Sequence, residues 1–507
     1  MTGSGLFIGV DLGTTTTKAV VLDKQGQVRG YYAKESGFEQ PQPGWAEQDA
    51  EKIFQDTLEV IGTAVRKAGA RASEIDGVAF SSAMHGIMPV DAKGNPLTNC
   101  WIWADNRSAT IAQRLRQDPK GKELYRCCGV PYHAMVPLCK LIWLRENMAE
   151  IFQKSTRFIS IKEYIFFRLF GTYVIDYSLA SATGLFNLYK LTWDKDALRL
   201  SGISHQQLSQ PVPPTYILRG LKAGDAAAMG LKPETPFIIG ASDGTLANLG
   251  VGAIKPGIAA ISIGTSGAVR VHVDKPITDP GMRTFCYALT DKDWIIGGPI
   301  NNGGLVYRWL RDKFFQAEVR AALEGKGEVY DLMNSCAASI PPGSDGLIFL
   351  PFLTGERAPW WNDSFRGIIV GLALHHGREH LARATMEGVC FSLYSVALAL
   401  QELSGPFKEV RATGGFTRSS LWCQILADIL GQEVIVYPGI EGACLGAAVL
   451  GMVATGQASD INIIYQFLQK AKQFDPYWLN TNKYRVLFDI YQRICRKIEK
   501  DFTSLGV

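Results

Sequence analysis

A chain of 507 residues exceeds what one hydrophobic core serves, so at least two domains are expected, each with its own interior. With 52 Lys and Arg against 48 Asp and Glu, a net charge of +4 and no long basic block, neither nucleic acid nor an anionic membrane is favoured as partner. Ten cysteines, scattered apart from Cys127 and Cys128 and lacking a CxxC pair, argue against a zinc knuckle or disulfide framework and fit a reducing cytoplasm. No basic N-terminal region runs into a long apolar stretch. Apolar segments such as Val389 to Leu400 are short or adjoin charges like Arg383 and Glu387, so a soluble, unexported protein is expected.

The chain opens on an apolar strand, Leu6 to Val10, which enters GVDLGTTTTK, Gly9 to Lys18, and leaves through a second apolar run, Ala19 to Leu22. A hairpin tip of Gly and Thr suits phosphate. Backbone near Gly13 has no Cβ to hold an anion off, the hydroxyls of Thr14, Thr15 and Thr16 add donors, and Lys18 adds a cation. Asp11 would repel that phosphate unless Mg²⁺ stood between them, which makes it a candidate metal ligand. The plain alternative is a Gly/Thr hairpin capped by Asp. After a Pro/Gly turn at Gln40 to Gly44, Phe54, Leu58, Ile61 and Val65 keep helical spacing behind an N-cap at Asp49, and Gly69 ends the run. Gly77 to Phe80 reads as a buried strand. It delivers SSAMHG, Ser81 to Gly86, at its C-terminal end, where open α/β sheets hold ligands.

WADNR, Trp103 to Arg107, sets an aromatic face that can cover a C–H surface beside Asp105 and Asn106, which can bind hydroxyls. In GASDGTLANLGVG, Asp243 lies between Gly240 and Gly244 with no basic residue beside it in sequence, so a substrate hydroxyl has room to approach a general base. An Asx-turn or helix N-cap is the competing role. Ile258 to Ile263, GTSG at Gly264 to Gly267, and Ala268 to Val273 then repeat the opening layout, which suggests two similar α/β domains, 1–254 and 255–507, facing one nucleotide. TGGFTRSS, Thr413 to Ser420, is a glycine turn on which a flat base and ribose can lie. Leu421, Ile425 and Leu430 behind it read as a helix.

Together these pieces resemble the FGGY family of carbohydrate kinases from Gly9 to about Gly456. MVPLCKLIWLREN, Met135 to Asn147, is similar to the family's first signature, with Pro137, Lys140, Trp143 and Leu144 in register. RGIIVGLALHHGREHLARATMEGVCF, Arg366 to Phe391, is similar to its second. The resemblance implies an α/β fold of two actin-like (ribonuclease H-like) ATPase domains with a deep inter-domain cleft, with ATP as phosphoryl donor and Mg²⁺ as metal. It implies that Asp11 places the metal, that Gly13 to Lys18 and Gly264, Thr265 and Ser266 hold phosphates, and that Asp243 is the base. Gly415 and Ser419 would touch adenosine, with a second contact at Gly304 and Arg308, where relatives often carry Gln. Met84 and His85 would meet the sugar, and Lys162 and Arg357 are further cationic candidates.

SSAMHG with WADNRS is similar to gluconate kinases, and Arg107 offers a bidentate fork to a sugar carboxylate. D-gluconate, giving 6-phosphogluconate, therefore stands ahead of D-xylulose as acceptor. Sugar binding is expected to close the cleft around the γ-phosphate. The oligomeric state is left open, a homodimer included. HGREH, His376 to His380, fits a zinc-peptidase pattern, but Gly377 weakens a continuous helix across both histidines. Neither a Walker A sequence nor a full dinucleotide fingerprint is present. An actin-like sensor or chaperone ATPase is the alternative of another class.

Overall fold

A computed structural model describes residues 5–437, 441–468 and 471–504. The chain forms two compact units, each built from separated segments. The first comprises Met1–Lys255, His272–Ile296 and Gly439–Leu468; the second comprises Pro256–Val271, Gly297–Pro438 and Gln469–Val507. The leading segment of the first unit ends at Lys255, and two later segments return to that unit.

In the first unit, β1 (Leu6–Leu12), β2 (Thr16–Leu22) and β3 (Val28–Glu35) form an antiparallel meander. After α1 (Ala50–Lys67), β4 (Ile75–Ser82) joins β1 in parallel. The helices α2 (Pro137–Asn147) and α3 (Ile161–Phe170) precede β5 (Ile217–Leu218), β6 (Phe237–Ser242) and α4 (Asp243–Gly250), and the six strands run in the order β5-β6-β4-β1-β2-β3. The central strands are apolar almost without break because helices cover both faces. On one face Phe54, Ile61 and Val65 of α1 enter the core as their spacing requires, joined by Ile53, while Leu58 is half-buried and packs against it. Asp49 accepts from the N–H groups of Glu51 and Lys52 and starts that helix, while Gly69 follows its end at a positive φ of 63°.

The second unit repeats this pattern. β7 (Ile258–Ile263) and β8 (Gly267–Val273) are antiparallel, and β9 (Glu409–Thr413) lies parallel to β7 on its other side, as β4 does to β1. Between them in sequence come α5 (Gly304–Phe314), α6 (Val329–Ala338) and α7 (Arg378–Ser404), the last of which absorbs the apolar run Val389 to Leu400. After α8 (Ser420–Leu430), β10 (Val434–Val436) and β11 (Lys472–Phe474) extend the sheet. α9 (Gly442–Ala454) belongs to the first unit and packs on β1, β4 and α4. Its approach is close: a Cβ at Gly9 would sit 2.1 Å from the Cys444 carbonyl oxygen, and one at Gly250 would sit 1.9 Å from that of Gly442.

Among the described residues no helix is long and apolar enough to cross a membrane. Gly377 caps α7, so His376 and His380 stand on either side of a helix start, and no metal-holding group of three or more His, Cys, Asp or Glu occurs among the described residues.

Candidate active site

Register carries Asp11 and Asp243 to the same edge of the first sheet. Asp11 is opposite Ser81 and Ser81 is opposite Ala241, two residues before Asp243. With a spacing of about 4.8 Å between strands, the two backbones are roughly 10 Å apart. Asp11 is buried, and its Oδ1 accepts a 2.7 Å hydrogen bond from the Ser81 hydroxyl. Its Oδ2 lies 3.5 Å from Lys18 Nζ, which also pairs with Glu441 at 2.6 Å. Burial opposes the Lys18 charge, yet these carboxylates, Asp11 foremost, raise its pKa above the usual lysine value. The lysine expected to meet phosphate is thus already engaged by two acids. The Gly13 N–H donates to Thr16 O at 3.1 Å, closing a turn in which a Cβ at 13 would meet that oxygen at 2.7 Å. Thr15 is exposed at its tip, whereas the Thr14 hydroxyl accepts from Trp103 Nε1 at 2.8 Å.

Asp243 is half-buried at the first position of α4. The capping role falls to its neighbour: Ser242 Oγ accepts from the Thr245 N–H. Behind Asp243 lies the fully buried Lys162, whose ammonium pairs with Asp176 at 2.6 Å and donates to the carbonyls of Ile239 and Ala241 at 3.0 and 3.3 Å. These carbonyls flank Gly240, which takes a φ of +67° where a Cβ would strike Phe80 O at 1.8 Å. Burial lowers the Lys162 pKa despite the charge of Asp176, and Asp243 also acts on it electrostatically. Lys162 therefore ties down the strand end that presents Asp243.

Met84 and His85 form the loop after β4, with Met84 half-buried and His85 buried. His85 adopts a φ of +67°, unusual for a residue with a side chain. Its Nδ1 donates to Ala182 O at 2.9 Å, and its Nε2 faces the Tyr287 hydroxyl at 3.4 Å. Arg107 departs from expectation. Its Nε and Nη2 bond Asp105 at 2.8 and 2.7 Å, and Nη2 reaches Glu47 at 2.5 Å. The guanidinium carbon also lies 3.8 Å from the centre of the Trp45 ring and 4.0 Å from that of Trp101. The fork is filled from within the protein, because two carboxylates face it and the side chain is 1 % exposed. Asp105, fully buried, is committed to Arg107 and the Ala46 N–H, so neither residue is turned toward a sugar. Asn106 is exposed.

The second unit holds a cavity of about 620 Å³. Gly264, Thr265, Gly304, Arg308, Gly415 and Ser419 line it, and Ser266 lies in the same turn as Gly264 and Thr265. Glycines open it: a Cβ at Gly264 or Gly415 would meet no atom of the described residues within 4 Å. The turn is built on α5, since the N–H groups of Gly304 and Leu305 donate to the carbonyls of Gly264 and Thr265 at 2.7 and 3.1 Å. Ser419 caps α8 through the Trp422 N–H. The aromatic walls, Tyr307, Tyr330, Phe416 and Trp422, were not anticipated, nor were Glu328, Asp331 and Asn334 on or beside α6. Volume, aromatic faces and glycine openings suit a nucleoside. Arg357 is buried and donates to Ile300 O. Beside it, fully buried Glu356 accepts from the N–H groups of Asn301 and Arg357, and burial pushes its pKa up to about 7.

Residues 6–250 match the N-terminal domain, and residues 259–455 the C-terminal domain, of the FGGY family of carbohydrate kinases. The chain is 45 % identical to the gluconokinase of Bacillus subtilis (strain 168) over 504 residues, covering 99 % of this chain and 97 % of that one. It is 29 % identical to the xylulose kinase of the same strain over 491 residues, covering 96 % of each. A crystal structure of gluconate kinase from Lactobacillus acidophilus matches with a TM-score of 0.93 at 35 % identity, covering 99 % of both chains. A ligand-bound xylulose kinase from that organism also matches with a TM-score of 0.93 at 35 % identity, covering 99 % of this chain and 100 % of that one. Since both halves of the family model match in order, and the edge and cavity described above lie within them, the chain belongs to the FGGY family of carbohydrate kinases.

Proposed function

We propose that this carbohydrate kinase transfers the γ-phosphoryl group of ATP to D-gluconate, giving 6-phosphogluconate, in the cytoplasm. One observation carries the choice of acceptor. Within a single organism that has both enzymes, identity is 45 % to the gluconokinase and 29 % to the xylulose kinase. The structural neighbours bear both names at equal similarity and do not separate the two.

On this reading Asp243 takes the proton of the attacking hydroxyl, and Lys162 keeps its backbone in place. Met84, His85 and Trp103 meet the sugar. Gly13, Thr14, Thr15 and Thr16 hold phosphate beside Asp11 in the first unit. In the second, Gly264, Thr265 and Ser266 hold phosphates, while the base and ribose occupy the cavity at Gly304, Gly415 and Ser419. Asp11 fits Mg²⁺ carried in on phosphate better than a metal caged by protein, because a single buried carboxylate stands at the edge and that ion keeps most of its other ligands from water and phosphate. When bound, the metal would neutralise phosphate charge. The test is a sugar panel with Mg·ATP in which product and ADP are both counted. Gluconate should give the highest kcat/KM with one sugar phosphate per ADP; a higher value for xylulose would reassign the acceptor, and ADP without any sugar phosphate would point to a sensor ATPase.

A further inference from the structure

Lys140, the fourth residue of α2, is fully buried, and among the described residues it forms no ion pair. Its ammonium instead donates to three backbone carbonyls, those of His85 at 2.9 Å, Trp101 at 3.0 Å and Ile102 at 2.6 Å. An ammonium has three hydrogens, so the set is saturated. A hydrocarbon side chain would avoid the cost of burying charge but would leave three carbonyls without donors.

The choice of carbonyls is informative. Two belong to the residues immediately before Trp103, and the third belongs to His85, whose backbone sits in the left-handed region. One nitrogen thus joins the two segments assigned above to the acceptor sugar. We propose that Lys140 is a positioning residue for acceptor binding, fixing the His85 imidazole and the Trp103 indole in one relation to each other. This rests on the assignment of the sugar to those segments. Each ring is already locked in its own rotamer, His85 by Ala182 O and Trp103 by the Thr14 hydroxyl. What remains to be set is the distance between their backbones, which Lys140 spans.

The groups that act on Lys140 are Asp105, Arg107, Cys100 and Cys139, with Asp105 the strongest opposing influence on a pKa that burial lowers to about 8. Loss of the proton removes one donor of the three. The experiment varies sugar and ATP separately, from pH 6.5 to 9.5, in the wild type, Lys140→Met and His85→Ala, with folding followed by thermal melting. Lys140→Met should raise the sugar KM about tenfold while the ATP KM stays within about twofold, since the displaced backbone carries the groups assigned to the sugar, whereas the base and ribose are assigned to the cavity of the second unit. In the wild type, the sugar KM should climb above about pH 8. A folded Lys140→Met enzyme with unchanged sugar KM, or with both KM values raised alike, overturns the proposal. If that variant does not fold, a sugar KM in the wild type that stays flat to pH 9.5 overturns it. A His85→Ala enzyme with normal sugar KM would instead sink the underlying site assignment.

Discussion

The edge of the first unit and the cavity of the second solve different problems with different materials. At the edge, groups proposed to align a hydroxyl and a proton are held by buried charge: Lys162 behind Asp243, Lys140 behind His85, and Arg107 beneath the Trp103 segment. The small void beside Gly13, Ser82 and Met84 is about 20 Å³, room for one water. The cavity is some thirty times larger by the same measure, walled by aromatic rings and opened by missing side chains. Direction at an atom demands rigid, charge-assisted support; a flat ring needs only a face to lie on.

The largest test of this contrast is Asp243→Asn. It should lower kcat by about 10² to 10⁴-fold with little change in the ATP KM, as loss of a general base does. An equal loss in ATP affinity would erase the distinction between edge and cavity. Next comes Arg107→Ala, which should destabilise the fold in urea by about 3 to 5 kcal/mol by leaving buried carboxylates unpaired. It should leave the preference for gluconate over a neutral polyol intact. A selective loss of gluconate at full stability would restore Arg107 as the carboxylate's partner. On the cavity side, Tyr330→Ala should raise the ATP KM by about tenfold, within the range for loss of one base-stacking ring, and leave the sugar KM alone.

The smallest effect is in pH dependence. The folded pKa of Lys140, about 8, lies below its unfolded value of 10.5. Between those values the unfolded chain binds the extra proton, so this group makes stability rise with pH across that window. Denaturation midpoints from pH 8 to 10 should therefore fall less, or rise more, in the wild type than in Lys140→Met. Stability and sugar affinity would then respond to alkali with opposite signs.

Much of this was legible because it is local. The strand, turn and strand at Gly9 to Leu22, the Asp49 cap, the helix after Ser419 and the repeated hairpin all follow from periodicity and capping within a few residues. Asp243 was harder, since Ser242 and Asp243 are both good caps and only the fold decides which takes the role. Arg107 misled because Asp105 is two residues away, whereas Glu47, Trp45 and Trp101, which complete its enclosure, sit in segments with no helical or strand spacing relative to it. Tyr287 left no signal at all. It reaches His85 because His272–Ile296 folds back into the first unit, a long-range return that no short pattern encodes.

The close seating of α9 on β1 has a consequence for synthesis. The backbone that covers Gly9, at Cys444, is made about 435 residues after it, or roughly 20 to 90 s later at about 5 to 20 residues per second. Until then the nascent first unit carries a glycine-lined, apolar face with nothing to cover it, so it cannot finish folding on the ribosome ahead of the rest. A fragment ending at residue 254 would keep that face bare for good, and supplying residues 441–468 as a separate peptide is the natural way to rescue it.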